Sequence, residues 1–457
     1  MTKPIRTFLA ASLVLTTAGC ELYTKEDSKK SGIAAIMPTV VNRDLDVLFV
    51  VDNSGSMREE QDAVAAGFAL FEAQLEALEG GLPNLHIGVV STNMGAGQYG
   101  ISGCDGDGDG GRLLAISDAI LPEGSTAHFL VDEDDGQGGR ARNYIGTLGE
   151  AFTTVSNLGI SGCGFEQPLN AARRALSGSL QQNEGFLRAD AQLAVIILSD
   201  EDDCSAEDFA VFNSDPAQDR ASSSLGFLSS FRCFEFGVVC DEGEPRNPGS
   251  RSNCRPRNES EYMVDVHEYA NALKSLKANP HDVFVAGIVG DDTPVHVRFS
   301  DDEPLLEPSC SSSNGEAAPA IRLVSFLDSF GLRSAKASIC NADLSAACSR
   351  IGKFLREGME GSPCLQGPVH SPGTCSVEIV HDLGSSQETR RSIARCDNAA
   401  AAAATAASST LPCYLIAEDA QTCVASETGL AVKVEYGPAA PLAAENVDVL
   451  VTCQLDS

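Results

Sequence analysis

Basic residues are scarce. Lys and Arg number 32 against 64 Asp and Glu, and the formal charge is −32 over 457 residues. That balance excludes nucleic acid and other polyanions as partners, because the average field repels them. It admits divalent cations and basic partners. Beyond residue 20 no run of 18 continuous apolar residues occurs, the length a membrane-spanning helix needs. The seven His are dispersed without ligand spacing, and no CxxC pair suggests zinc. No GxSxG elbow or HExxH is present, which removes two common hydrolase signatures. GAGQYG, residues 95–100, fits GxGxxG, but no helix opens after it and an acidic run follows. A phosphate is unwelcome there.

Cysteine, by contrast, is plentiful. There are 16, and an exported chain this rich in Cys reads as disulfide-bonded. The opening MTKPIRTFLAASLVLTTAGC has a basic start, an apolar run and small residues before Cys20, the pattern of a secretory signal. Its ending, TTAGC, resembles a bacterial lipobox, which implies cleavage and lipid modification at Cys20. Fifteen Cys then remain, an odd number. Cys348 is the expected free thiol, because Leu344, Cys348, Ile351 and Leu355 share one helical face.

The spacing predicts strands over 45–51, 85–91, 192–199, 282–289 and 335–340. Helices are expected over 57–79, 141–157, 167–178, 261–277, 319–330 and 342–357. Apolar strands alternating with amphipathic helices imply a doubly wound, mostly parallel α/β sheet with helices on both faces. Residues 21–43 read as a tether, and residues 44–358 as this α/β domain. Long insertions interrupt it at about 96–140, 205–259 and 290–318. Cys-punctuated alternation over 359–457 suggests a small disulfide-rich β module. The run Ala399–Ala404 reads as a short helix or slack linker.

In an open α/β sheet, sites lie beyond the carboxyl ends of the strands. Here those ends carry DNSGS (52–56), Thr92 and Asn93 with CDGDGDGG beyond (104–111), DEDDCSAED (200–208) and GDD (290–292). Short oxygen-bearing side chains at every edge suit a hard divalent cation. A turn and N-cap at DNSGS is the plainer alternative.

Asp52-x-Ser54-x-Ser56 after a buried strand resembles the DxSxS motif of von Willebrand factor type A (VWA) domains. Asp200, ending LAVIILSD, is similar to that family's later metal-site aspartate. GCGFEQPL and LSDEDDCS add a resemblance to the VWA lipoproteins of myxobacteria. The resemblance implies a metal-ion-dependent adhesion site for Mg²⁺ or Mn²⁺, with Ser54 and Ser56 as direct ligands and Asp52 and Asp200 in support. The family's threonine falls at Glu166, which either binds the cation itself or caps the following helix, with Ser161 supplying a hydroxyl. Asp105, Asp107 and Asp109, followed by Gly110, match the first half of a Ca²⁺ loop. Ile116 stands where an EF-hand needs Glu, so a simpler loop completed elsewhere competes with a flexible acidic one. Cys104–Cys163 is the expected disulfide at this edge, because both residues flank it.

These readings converge on a non-enzymatic, lipid-anchored adhesion protein of a bacterial cell envelope, facing a protein or surface polymer and placed on the outer membrane. Two alternatives remain open: an envelope lipoprotein whose metal only stabilises the fold, and a metal-assisted hydrolase using Glu166 or an acid of 201–203 as base.

Overall fold

The computed structural model describes residues 30–313, 315–396, 412–419, 422–423, 426, 428–436 and 447–455. Cys20 and the run Ala399–Ala404 lie outside them.

Twenty strands and seven α-helices are found among the described residues. The larger sheet has seven strands in the order Ser334–Ser338, Val283–Val289, Gln192–Ser199, Asp44–Val51, Asn84–Ser91, Phe129–Asp134 and Arg140–Arg142. The first five run parallel; the last two are antiparallel additions. The central strands are rich in Val, Ile and Leu, and Gln192–Ser199 is buried along its whole length, as a strand covered on both faces should be. Helices Arg58–Glu76, Leu148–Ser156 and Leu344–Glu360 pack in one apolar cluster against the sheet. Pro168–Ala175, Val266–Lys274 and Ile321–Asp328 pack in another. Phe68 and Phe152 stack at 3.9 Å between ring centroids, joining two helices over Phe49.

A second sheet of six strands runs in the order Lys30–Pro38, Val447–Leu455, Ser376–His381, Thr389–Arg395, Cys413–Glu418 and Leu430–Glu435. Its pairings are antiparallel except Thr389–Arg395 with Cys413–Glu418. Three small sheets hold strands of the insertions.

The expected doubly wound, mostly parallel α/β fold is therefore corrected. Ten of the fifteen strand pairings are antiparallel, and the chain is an assembly of mixed and antiparallel sheets. Hydrophobic runs report whether a strand is covered on both faces. They do not report how two- to six-residue strands inside insertions pair, and those strands supply most of the antiparallel ladders. Two smaller expectations change as well. The supposed tether carries the strand Lys30–Pro38, which pairs with Val447–Leu455 at the far end of the chain. The supposed helix over 141–157 starts only at Leu148, after Thr147 and Glu150 close a capping box.

Seven disulfides join 14 Cys. Cys104–Cys163 forms, and Cys348 is free and buried. So dense a set belongs to an oxidising compartment outside the cytoplasm. Among the described residues no helix is long and apolar enough to cross a membrane.

Candidate metal centre

The site is built where the central strand Asp44–Val51 ends. Asp52 N–H donates to Leu198 O at 2.9 Å, which ties the turn to the neighbouring strand. Asp52 is fully buried. Its Oδ1 accepts from Ser54 N–H at 2.8 Å and its Oδ2 from the Ser199 hydroxyl at 2.7 Å. Burial still raises its pKa, against the pull of those hydrogen bonds.

The serines do not cap the helix that follows. Its N-cap is Met57, with no side-chain capping bond. Instead Ser54 Oγ and Ser56 Oγ face one another at 3.2 Å, and Ser56 shares a cavity lining with Asp200. The turn-and-cap alternative accounts for the backbone here but not for these hydroxyls.

Glu166 enters from the segment before helix Pro168–Ala175. It is not the cap either; that place belongs to Gln167, again without a side-chain bond. The fully buried Glu166 accepts the Thr92 hydroxyl on Oε2, and its Oε1 is buried with no partner. Asp52 also lies within hydrogen-bonding reach of it. Burial and then the Asp52 charge push its pKa well up. Ser161, the alternative hydroxyl, is exposed. Cys104–Cys163 fixes this segment, with its Cα atoms 4.4 Å apart. Gly162 N–H donates to Asn53 O at 2.8 Å. A Cβ on Gly162 would stand 2.0 Å from Asn53 Oδ1, so only glycine lets the two loops close.

Asp200 completes the group from the end of Gln192–Ser199. It is 5% exposed and its Oδ1 has no partner. Burial first, then Asp52, pushes its pKa up to about 7. Next to it Glu201 is pushed up to about 8 and Asp202 to about 6, burial leading in both. Asp202 accepts the backbone N–H groups of Arg322 and Leu323 and so caps the helix Ile321–Asp328. Asp203 forms a fully buried ion pair with Arg322 at 2.9 Å. Of the three acids after Asp200, two are spent on structure.

The structure thus brings Asp52, Ser54, Ser56, Glu166 and Asp200 to one edge. It adds three residues that sequence reasoning did not assign to the site. Thr92 and Ser199 hold the carboxylates of Glu166 and Asp52. Glu60, on the first turn of Arg58–Glu76, is 2% exposed, and its Oε2 has no partner. Thr92 and Ser199 stand at strand ends facing the acidic loops, which was a usable signal. Glu60 looks like any acid in the first turn of a helix and gave none.

Thirteen buried side-chain N or O atoms of the described residues lack a partner. Four belong to this edge: Asn53 Oδ1, Glu60 Oε2, Glu166 Oε1 and Asp200 Oδ1. Unpaired buried oxygens are costly, and like-charged ones repel. A hard divalent cation would relieve both costs, and the donor set of hydroxyl and carboxylate oxygens fits Mg²⁺ or Mn²⁺. Among the described residues, no three His, Cys, Asp or Glu side chains are grouped closely enough to hold an ion by themselves; here the carboxylates are interleaved with hydroxyls.

The second loop is different. Asp105 and Asp107 are exposed. Asp109 accepts the Ser91 hydroxyl at 2.5 Å, and its backbone carbonyl accepts from Arg112 at 2.9 Å. Gly108 N–H donates to Asp105 O. The loop satisfies itself against the strand Asn84–Ser91.

No family model matches the chain, and no curated protein matches it. Among solved structures it is similar to the pilus adhesin RrgA from Streptococcus pneumoniae, at 10% identity over 93% of this chain and 58% of that one, with a TM-score of 0.27. It is also similar to the human COPII-coat protein Sec24c, at 8% identity over 90% of this chain and 44% of that one, with a TM-score of 0.30. The chain spans about half the length of each. Likeness at that level carries no argument about fold or function.

Proposed function

We propose that this protein is a lipid-anchored, extracytoplasmic binding protein that holds a divalent cation at the DNSGS edge and captures a protein or surface polymer there. The observation that carries the reading is the pair of serine hydroxyls that the helix does not use, on the edge where buried Glu166 and Asp200 each keep an oxygen without a partner. Ser54 and Ser56 would ligate the cation directly, Glu166 Oε1 would supply a carboxylate oxygen, and Asp52 and Asp200 would support the shell. The motif resemblance to VWA domains favours the same assignment. When bound, the cation supplies positive charge that cancels the repulsion among these acids and offers a coordination position to a partner. The chain's own part is to fix the oxygens: Thr92 and Ser199 orient two carboxylates, and Cys104–Cys163 holds the Glu166 segment against Asn53. The TTAGC ending at Cys20 supports a lipid anchor.

A second reading has one observation behind it. Glu166 brings a carboxylate from within the chain, so a cation could be held without any partner and serve only stability. Calorimetric titration of Mg²⁺, Mn²⁺ and Ca²⁺ into the full chain tests both readings, with Ser54→Ala and Asp200→Ala alongside. The expected result is one Mg²⁺ or Mn²⁺ site that each substitution weakens by at least about tenfold, the worth of one charge-assisted contact. Absence of binding in the unsubstituted protein overturns the cation site. Binding that raises stability but leaves capture on an envelope extract unchanged favours the structural reading.

A further inference from the structure

Against this edge lies a cavity of about 310 Å³ that shares Ser56 and Asp200 with the cation site and extends beyond them. Phe231 and Phe234, from helix Phe231–Gly237, pack against Leu306 of strand Glu303–Leu306 and with Leu305 form its apolar lining. Ser56, Asp200, Glu201 and Glu316 line it as well. Its volume is at the bottom of the range for ligand pockets, about 300–1,000 Å³. It suits one long side chain, not a cofactor.

No basic side chain of the described residues opposes the acids on its lining. Asp202 is capped by two backbone N–H groups, and the buried Arg322 is committed to Asp203. Among the described residues no Lys, Arg or His forms an ion pair with Asp200, Glu201 or Glu316. Asp200 Oδ1, nine-tenths buried, has no hydrogen-bond partner. A divalent cation shared by Asp52, Glu166 and Asp200 would still leave Glu201 and Glu316 unopposed, in a chain of net charge −32. A partner's carboxylate would be repelled from this cavity. A side chain with an apolar stem and a cationic head matches both halves of it.

We propose that the cavity receives a lysine or arginine side chain from a protein partner, with the stem along the lining of Phe231, Phe234, Leu305 and Leu306 and the head on Glu201. The inference deepens the binding function proposed above and rests on it only in taking the partner to be a protein. It makes recognition a matter of basic residues beside a cation, not of an acidic group on it.

The test is fluorescence anisotropy with labelled acetyl-Leu-Xaa-Leu amides on the full chain, where Xaa is Lys, Arg, norleucine or Glu. Lys and Arg peptides should bind, norleucine more weakly, and Glu not at all. Glu201→Gln, an isosteric change, should weaken the Lys peptide by at least about tenfold. Leu305→Ser should weaken the Lys and norleucine peptides alike. Equal binding of Lys and norleucine, or no effect of Glu201→Gln, overturns the proposal. Mn²⁺ binding without any peptide binding sinks the cavity and leaves the cation site standing. Peptide binding without Mn²⁺ binding does the reverse.

Discussion

The six-stranded sheet and the acidic edge of the seven-stranded sheet are both stapled by disulfides, yet their interiors differ. In the six-stranded sheet, Cys364–Cys423, Cys375–Cys453 and Cys396–Cys413 brace a modest core of Val377, Ile379, Ile393, Val449 and Val451. The strand Lys30–Pro38 closes this sheet from the other end of the chain. Small cores need such staples. At the acidic edge, Cys104–Cys163 and Cys204–Cys233 lie in one cluster with Phe165, Phe212 and Met263. The same edge holds Glu166 and Asp200, each raised in pKa by burial and the Asp52 charge and each with one oxygen lacking a partner. One set of disulfides replaces missing hydrophobic burial. The other holds loops in a place their own charges resist, the arrangement expected where a ligand supplies the missing compensation.

Removing a staple from each region breaks this comparison most forcefully. Cys375→Ala with Cys453→Ala opens a 78-residue span and should cost about 2–5 kcal/mol of stability, read by denaturant unfolding. Cation affinity should hardly change. Cys104→Ala with Cys163→Ala, a 59-residue span, should cost a similar amount and also weaken Mn²⁺ by calorimetry. Equal loss of Mn²⁺ binding in both double variants would show that the edge depends on general stability alone.

Replacing the buried carboxylate sharpens the contrast within the edge. Glu166→Gln removes a charge that burial and Asp52 disfavour. It should stabilise the metal-free protein by about 1 kcal/mol or more while weakening Mn²⁺ binding. A variant that is destabilised without metal would mean that Glu166 is already compensated.

The pH dependence should separate the regions next. Asp200 and Glu201 have pKa values raised to about 7 and about 8. The folded state therefore binds these protons more tightly than the unfolded chain does. Their contribution is fully present below the unfolded value near 4 and is lost as pH rises to about 8. Metal-free stability should fall over that window in thermal melts, and saturating Mg²⁺ should flatten the fall because the cation takes the protons' place. The six-stranded sheet contributes one smaller step of the same sign. Burial and Asp282 raise Asp448 to about 6, so Asp448→Asn should make the slope shallower between pH 4 and 6.

The smallest effect concerns Cys348. Its thiol is buried on Leu344–Glu360, and burial pushes its pKa up to about 11. Thiol labelling should find it inert in the folded chain, and Cys348→Ala should cost about 1 kcal/mol. Fast labelling would mean that this helix opens locally.

Much of the edge was legible because its signals are local. A buried strand ending in DNSGS, another ending in LSD, and a Glu before a Pro-led helix each stand within ten residues of their context. The pairing Cys104–Cys163 and the unpaired Cys348 followed from position and parity. The mixed character of the sheets was not legible. Phe129–Asp134 and Arg140–Arg142 are short, polar-rich strands whose ladders are decided by Asp132, which gathers Arg140, Arg142 and Tyr144 around itself.

By itself the sequence determined the oxygen-rich strand ends and the oxidised cysteines, because strand burial and residue chemistry are properties of short segments. Only the tertiary structure decided that Ser54 and Ser56 face each other instead of capping, that Glu166 leaves one oxygen bare, and that Lys30–Pro38 joins Val447–Leu455 across some 400 residues. Those outcomes depend on which surfaces meet. A chain that pairs its two ends chooses the register that buries most apolar area, and no local window contains both partners.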